Sequence, residues 1–168
     1  MTKEEIIELV VETVRKHDAK QKKVRHDRRL YNTRLLMKNY KVLMDHCNQS
    51  ITAIQDIEQN ESAIDILDSI DDTNRELYIE TIKRSNLRTY IILQHIESML
   101  QLLEIYCERT DKSRCYRVLS RHYVDGDTLI DIAKRENVER RTVYRDINFA
   151  IEKLSALIFG VDGLAVMS

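Results

Sequence analysis

The first glycine of the chain is Gly126, and proline is absent altogether. β-Hairpins and phosphate-cradling loops draw on those two residues for turns that other side chains adopt only with strain. A sandwich, a barrel or a glycine-loop nucleotide fold therefore has nothing from which to build its connections, and the predicted fold class is all-α. With 168 residues, 43% of them hydrophobic, the chain can bury a true core.

The longest apolar run, Tyr90 to Leu93, falls far short of the roughly 18 residues that a membrane span needs. Glu4, Glu5, Glu8 and Glu12 interrupt the apolar residues at the N-terminus, unlike a signal or transit peptide. The expected location is the cytoplasm, with no membrane partner. Cys47, Cys107 and Cys115 are odd in number and lack C-x-x-C spacing, so reduced core thiols are expected in place of disulfides or a zinc site. His17, His26, His46, His95 and His122 are scattered, and the acid run Asp65, Asp68, Asp71, Asp72 lacks the glycine and ligand order of a calcium loop. No metal, cofactor or catalytic centre is expected, and the chain does not read as an enzyme.

A formal net charge of −1 conceals strong segregation. Eleven Lys and Arg between Arg15 and Lys41 face only Asp18 and Asp27, whereas nine acids between Asp56 and Glu80 face only Arg75. Such blocks are ordinarily solvated helix faces, and they can also pair with each other or steer an anionic partner.

Apolar spacing organises the N-terminal part. Ile7, Val10, Val11 and Val14 share one stripe of an amphipathic helix, after which the sequence turns polar. Leu30, Thr33, Met37, Tyr40, Met44, Cys47, Ile51 and Ile54 follow 3-4 spacing, and Ile79, Ile82, Asn86, Thr89, Leu93, Ile96, Leu100, Leu103 and Cys107 answer them. Residues 60–74 would form the turn between the two seams. These stripes fit a long helical hairpin or coiled coil spanning residues 1–111, which oligomerises or binds a partner. An intramolecular bundle would use the same stripes.

Residues 112–168 read as a second unit. Val118 and Leu119 lie in a helix stopped by Gly126, and Asp127 or Thr128 can cap a short helix carrying Leu129, Ile132 and Ala133 up to Asn137. A third helix starts near Arg140, with Val143, Ile147, Ala150, Ile151 and Leu154 inward. Helix, short turn and helix, with small Ala133 at the crossing, is the helix-turn-helix pattern. An apolar tail from Leu157 to Val166 requires cover.

The string Val118 to Leu154, VLSRHYVDGDTLIDIAKRENVERRTVYRDINFAIEKL, resembles the promoter-reading region 4 of bacterial sigma factors. It is more similar still to the sigma-like late-transcription regulators of phages of Gram-positive bacteria, the ArpU type. Arg25 to Cys47, RHDRRLYNTRLLMKNYKVLMDHC, resembles the N-terminal part of such proteins. The resemblance implies a supporting helix over 127–137 and a recognition helix from Arg140 onward. Two positions depart from the pattern: Asn137 stands where glycine is usual, and Asp146 stands where an apolar residue is usual, with Ile147 pointing inward instead. The aromatic-rich segment that melts promoters is missing, which points to an activator or accessory factor.

The residue types fit that role. On the third helix Arg141, Thr142, Tyr144, Arg145 and Asn148 are expected opposite the apolar face, with Arg140 at its start and Lys134 and Arg135 nearby. Arg can grip guanine bidentately, Asn can read adenine, and Thr, Tyr and Lys can hold thymine methyls or phosphates. A pI near 6.5 argues against a nonspecific nucleic-acid coat. The expected function is a sequence-specific transcriptional regulator, a phage or prophage late-gene activator. Its expected partners are double-stranded DNA, RNA polymerase and a second copy of itself. The alternatives are a small terminase-like DNA-packaging subunit and a coiled-coil adaptor that binds protein alone.

Overall fold

The computed structural model describes residues 2–48, 63, 66–67, 79, 82–83 and 86–159. Every described element is helical: α1 (Lys3–Lys38), α2 (Tyr40–Asn48), α3 (Asn86–Arg109), α4 (Ser113–Ser120), a π-helical turn (Arg121–Asp125), α5 (Leu129–Glu136) and α6 (Arg140–Ile158). No described helix is long and apolar enough to cross a membrane. Seam positions Ile51 and Ile54, most of the turn expected within 60–74, and the tail beyond Phe159 lie outside the described residues.

α1 is 36 residues long, about 54 Å at about 1.5 Å per residue. Its start is fixed by a capping box: the Thr2 hydroxyl accepts from the Glu5 backbone N–H at 3.3 Å, and the Glu5 carboxylate accepts from Thr2 N–H at 2.6 Å. The polar stretch after Val14 does not end the helix, because Lys, Arg, Gln and Ala are strong helix formers and no Gly or Pro intervenes. Asn39 ends it, its side-chain amide donating to Leu35 O at 2.8 Å.

Most of the described seam residues are buried within a single chain, with Leu30, Met44 and Asn86 half-buried. α2 packs on α3, and Thr33, Met37, Tyr40, Cys47, Ile79, Ile82, Thr89, Leu93, Ile96, Leu100, Leu103 and Cys107 all lie in the interior. The burial is wider than a coiled-coil seam allows, for Asn32, Leu35, Leu36, Leu43 and Ile92 are buried as well. The chain's own helices therefore take the place of the partner helix that the periodicity leaves unnamed. The polar seam member Thr89 satisfies its hydroxyl by donating to Ile82 O at 3.1 Å, and Thr33 does the same to Arg29 O at 2.8 Å.

The boundary expected at 111–112 falls in the turn between α3 and α4, where Asp111 adopts φ +56° and Lys112 N–H reaches back to Cys107 O at 2.7 Å. One cluster of buried side chains nevertheless runs from Leu35 through Leu103 and Val118 to Phe159. α4 lies centrally in it, packing on α3 and most extensively on α6, while α1 and α3 cover the C-terminal part of α6. His95 bonds Ile158 O at 2.8 Å, and the Arg29 guanidinium sits 5.4 Å from the Phe159 ring centre.

Candidate nucleic-acid interface

α5 and α6 are joined by Asn137, Val138 and Glu139 alone. Asn137 takes the left-handed conformation, φ +53°, which asparagine tolerates better than most residues. Its N–H donates to Lys134 O, and Val138 N–H donates to Ala133 O at 3.1 Å. At the other end of α5, Thr128 caps, its hydroxyl accepting from Asp131 N–H at 3.2 Å. Gly126 closes the preceding π turn at φ +79°. Glycine suits that left-handed backbone; a Cβ there would come within 2.8 Å of the Lys41 ammonium, which the flexible lysine side chain can relieve by moving.

Two arginine–carboxylate links hold α5 and α6 against α4. Arg114 donates to Asp146 on α6 at 2.6 Å through Nε, with the carboxylate only 6% exposed. Arg117 grips Glu136 on α5 at 3.1 and 2.9 Å, and Arg121 adds a bond at 3.0 Å. The arginines hold the Glu136 carboxyl below its usual range, bonds from Arg117 being the first cause. The neighbouring Cys115 thiol is pushed up to about 11, first by burial and then by the Asp146 carboxylate. Asp146 is thus inward-facing like Ile147: an ion pair occupies the place where an apolar side chain was expected, and Ile147 does not replace it.

The inward face of α6 is as the spacing predicts, with Val143, Ile147, Ala150, Ile151 and Leu154 all buried. Opposite it, Arg141, Tyr144, Arg145 and Asn148 are exposed, and Arg140 stands exposed at the helix start. This exposed arc lasts about two turns; farther on Ser155 and Ala156 are buried where α1 and α3 pack.

Three of the expected residues sit differently from expectation. Thr142 is half-buried on the flank of the helix, and successive residues about 100° apart place it outside the arc centred on Arg141 and Asn148. Asn148 is exposed, but its carbonyl oxygen accepts a bond from Arg34 of α1 at 3.1 Å. Arg135 is paired with Asp127 at 2.9 Å. Lys134 remains exposed, and with Ile130, Val138 and Arg140 it lines a shallow open groove beside the turn.

The basic block from Arg15 to Lys41, which the sequence offers for an anionic partner without placing it, comes beside this surface through α1 and α2. Arg34 touches the exposed arc through Asn148, and the Lys41 ammonium lies over Gly126 at the approach to α5. Lys38 lies between them in sequence, exposed at the end of α1 and four residues from Arg34 on that helix. The eleven-cation block was the available signal, although nothing local to it reveals which helix it meets.

The surface so assembled is cationic, carries one aromatic hydroxyl, and projects from a rigid helix, a combination suited to phosphate and base-edge contacts. Among the described residues no group of His, Cys, Asp or Glu is arranged to hold a metal ion. No protein-family model, curated protein or solved structure matches the chain.

Proposed function

We propose that the chain is a sequence-specific DNA-binding transcriptional regulator in which α5, the Asn137 turn and α6 act as a helix-turn-helix, with α6 as the recognition helix. The observation that carries this reading is the division of α6: a wholly buried apolar face backs an exposed arc of Arg141, Tyr144, Arg145 and Asn148 directly after a three-residue turn. Arg141 and Arg145 are the base readers. Tyr144, Arg140 and Lys134 serve the backbone, joined by Arg34, Lys38 and Lys41 from the N-terminal helices. Asn148 and Arg34 act as a pair, and Arg135 orients the start of α5 through Asp127.

The likeness of Val118 to Leu154 to sigma region 4 and to ArpU-type regulators supports a phage or prophage late-gene activator that works in the cytoplasm as a homodimer beside RNA polymerase. Selection from random duplex DNA tests the reading. The expected result is an enriched motif whose preference over scrambled DNA persists at near-physiological salt. Equal binding of both pools, lost together as salt rises, would overturn it.

A further inference from the structure

Thr2 and every residue of α1 up to Arg25 are exposed, so that about 36 Å of capped helix stands largely in solvent. This segment carries Ile6, Ile7, Leu9, Val10, Val11 and Val14, each 43 to 55% exposed. Five of the six are β-branched and lose side-chain freedom in a helix, so the segment is a poor helix former by propensity. Amphipathic helices acquire most of their stability from burial of the apolar face, and a patch of this extent marks an interaction surface.

The charges along the helix indicate what covers it. The first turns hold Glu4, Glu5, Glu8 and Glu12 against Lys3, and the next hold Arg15, Lys16, Lys20, Lys22, Lys23 and Arg25 against Asp18. With successive residues about 100° apart, Ile7, Val10 and Val14 form the centre of the stripe, while Glu4, Glu8, Arg15 and Lys22 fall along one border of it. In an antiparallel pair of identical helices that border meets itself reversed, bringing Glu4 and Glu8 of each chain to Arg15 and Lys22 of the other. A parallel pair would instead set basic turns beside basic turns.

We infer that the first half of α1 pairs antiparallel with the same segment of a second copy of this chain, crossing near Val10 to Val14. The pairing specifies the homodimer named under the proposed function, but it rests on α1 alone and is independent of DNA binding. The described seam residues of α2 and α3 pack into the chain's own core, whereas this stripe on α1 is an exposed apolar face.

Light scattering on the full chain at tens of micromolar should give a dimer. Val10→Lys with Val14→Lys should raise its dissociation constant at least about a hundredfold, because two desolvated side chains per subunit are lost. The thermal midpoint should be preserved, since neither residue touches the core. Spin labels on Glu4→Cys should lie about 20 Å apart or more in the dimer, and those on Val11→Cys much closer. A monomeric wild type, including one that binds anionic vesicles through this stripe, would overturn the pairing, as would a dimer that survives both lysines. Short distances at both label sites would overturn the antiparallel arrangement. Loss of DNA recognition with the dimer intact would count against the DNA-binding reading alone.

Discussion

Glu136→Gln isolates the link between α4 and α5. The glutamate carboxylate is 8% exposed and accepts three bonds of 2.9 to 3.1 Å from Arg117 and Arg121. Charged hydrogen bonds contribute about 1.5–3 kcal/mol when desolvated. Arg117 and Arg121 are 48% and 29% exposed, however, so solvent screening reduces each link to about 1–1.5 kcal/mol. The carboxylate also stands in the last turn of α5, facing the negative end of the helix dipole, which opposes by about 0.3–1 kcal/mol. Gln preserves the shape but removes the charge and turns an amide donor toward a guanidinium. The net loss should be about 2 kcal/mol, lowering the thermal midpoint by about 4–8 °C. Urea unfolding should show a lower midpoint at unchanged slope. Because the folded-state pKa of Glu136 lies below the unfolded one, its stabilisation is complete above the unfolded value of about 4.3 and is lost as pH falls through the folded value. The gap between wild type and variant should be full at pH 7 and narrow toward pH 3. A gap under about 0.5 kcal/mol at pH 7, or one equally wide at pH 3, would refute the reasoning.

Other expected outcomes follow from the same geometry. Arg141→Ala and Arg145→Ala should each weaken binding of the selected DNA by about 1–3 kcal/mol and relax preference at one base pair, measured by fluorescence anisotropy with matched and mismatched duplexes. If both variants keep full specific affinity, α6 does not read bases. Asn137→Ala should cost about 1–2 kcal/mol in a urea melt because alanine is strained at φ +53°, whereas Asn137→Gly should be neutral within about 0.5 kcal/mol. The three thiols are buried, with Cys115 raised to about 11, so a thiol reagent at pH 8 should label none of them in the native chain and all of them in urea.

Periodicity made the helix faces legible. The inward positions of α6 and the second seam through Cys107 follow from 3-4 spacing, and the chemistry of Gly126, Thr128 and Asn137 marks the ends of α5. Periodicity names no partner, so two stripes that pack into one bundle resemble two that could bind a second chain. Buried charge was harder to see, because its compensation is distant in sequence: Asp146 meets Arg114 across 32 residues, and the exposed Asn148–Arg34 bond, across 114, was hidden for the same reason. Two local anomalies accompany it, though neither names its arginine. An acid occupied an expected apolar position at 146, and another ended α5 at 136, where the helix dipole disfavours negative charge.

The joining of α1 to α6 also decides how strongly salt should act on DNA binding. Lys134, Arg140, Arg141 and Arg145 are exposed on α5 and α6, and Arg135 is held by Asp127. With Arg141 and Arg145 on base edges, two phosphate contacts from Lys134 and Arg140 would give log K against log salt a slope of about −2 per chain, at about 0.9 per contact. If Arg34, Lys38 and Lys41 reach the same backbone, the slope deepens to about −4.5. Lys41→Ala and Lys38→Ala should then each remove about one unit of slope and weaken all sequences alike, the opposite of the Arg141 result. A wild-type slope near about −2 that neither lysine changes would mean that the N-terminal helices stand clear of the DNA. The recognition surface would then belong to α5 and α6 alone.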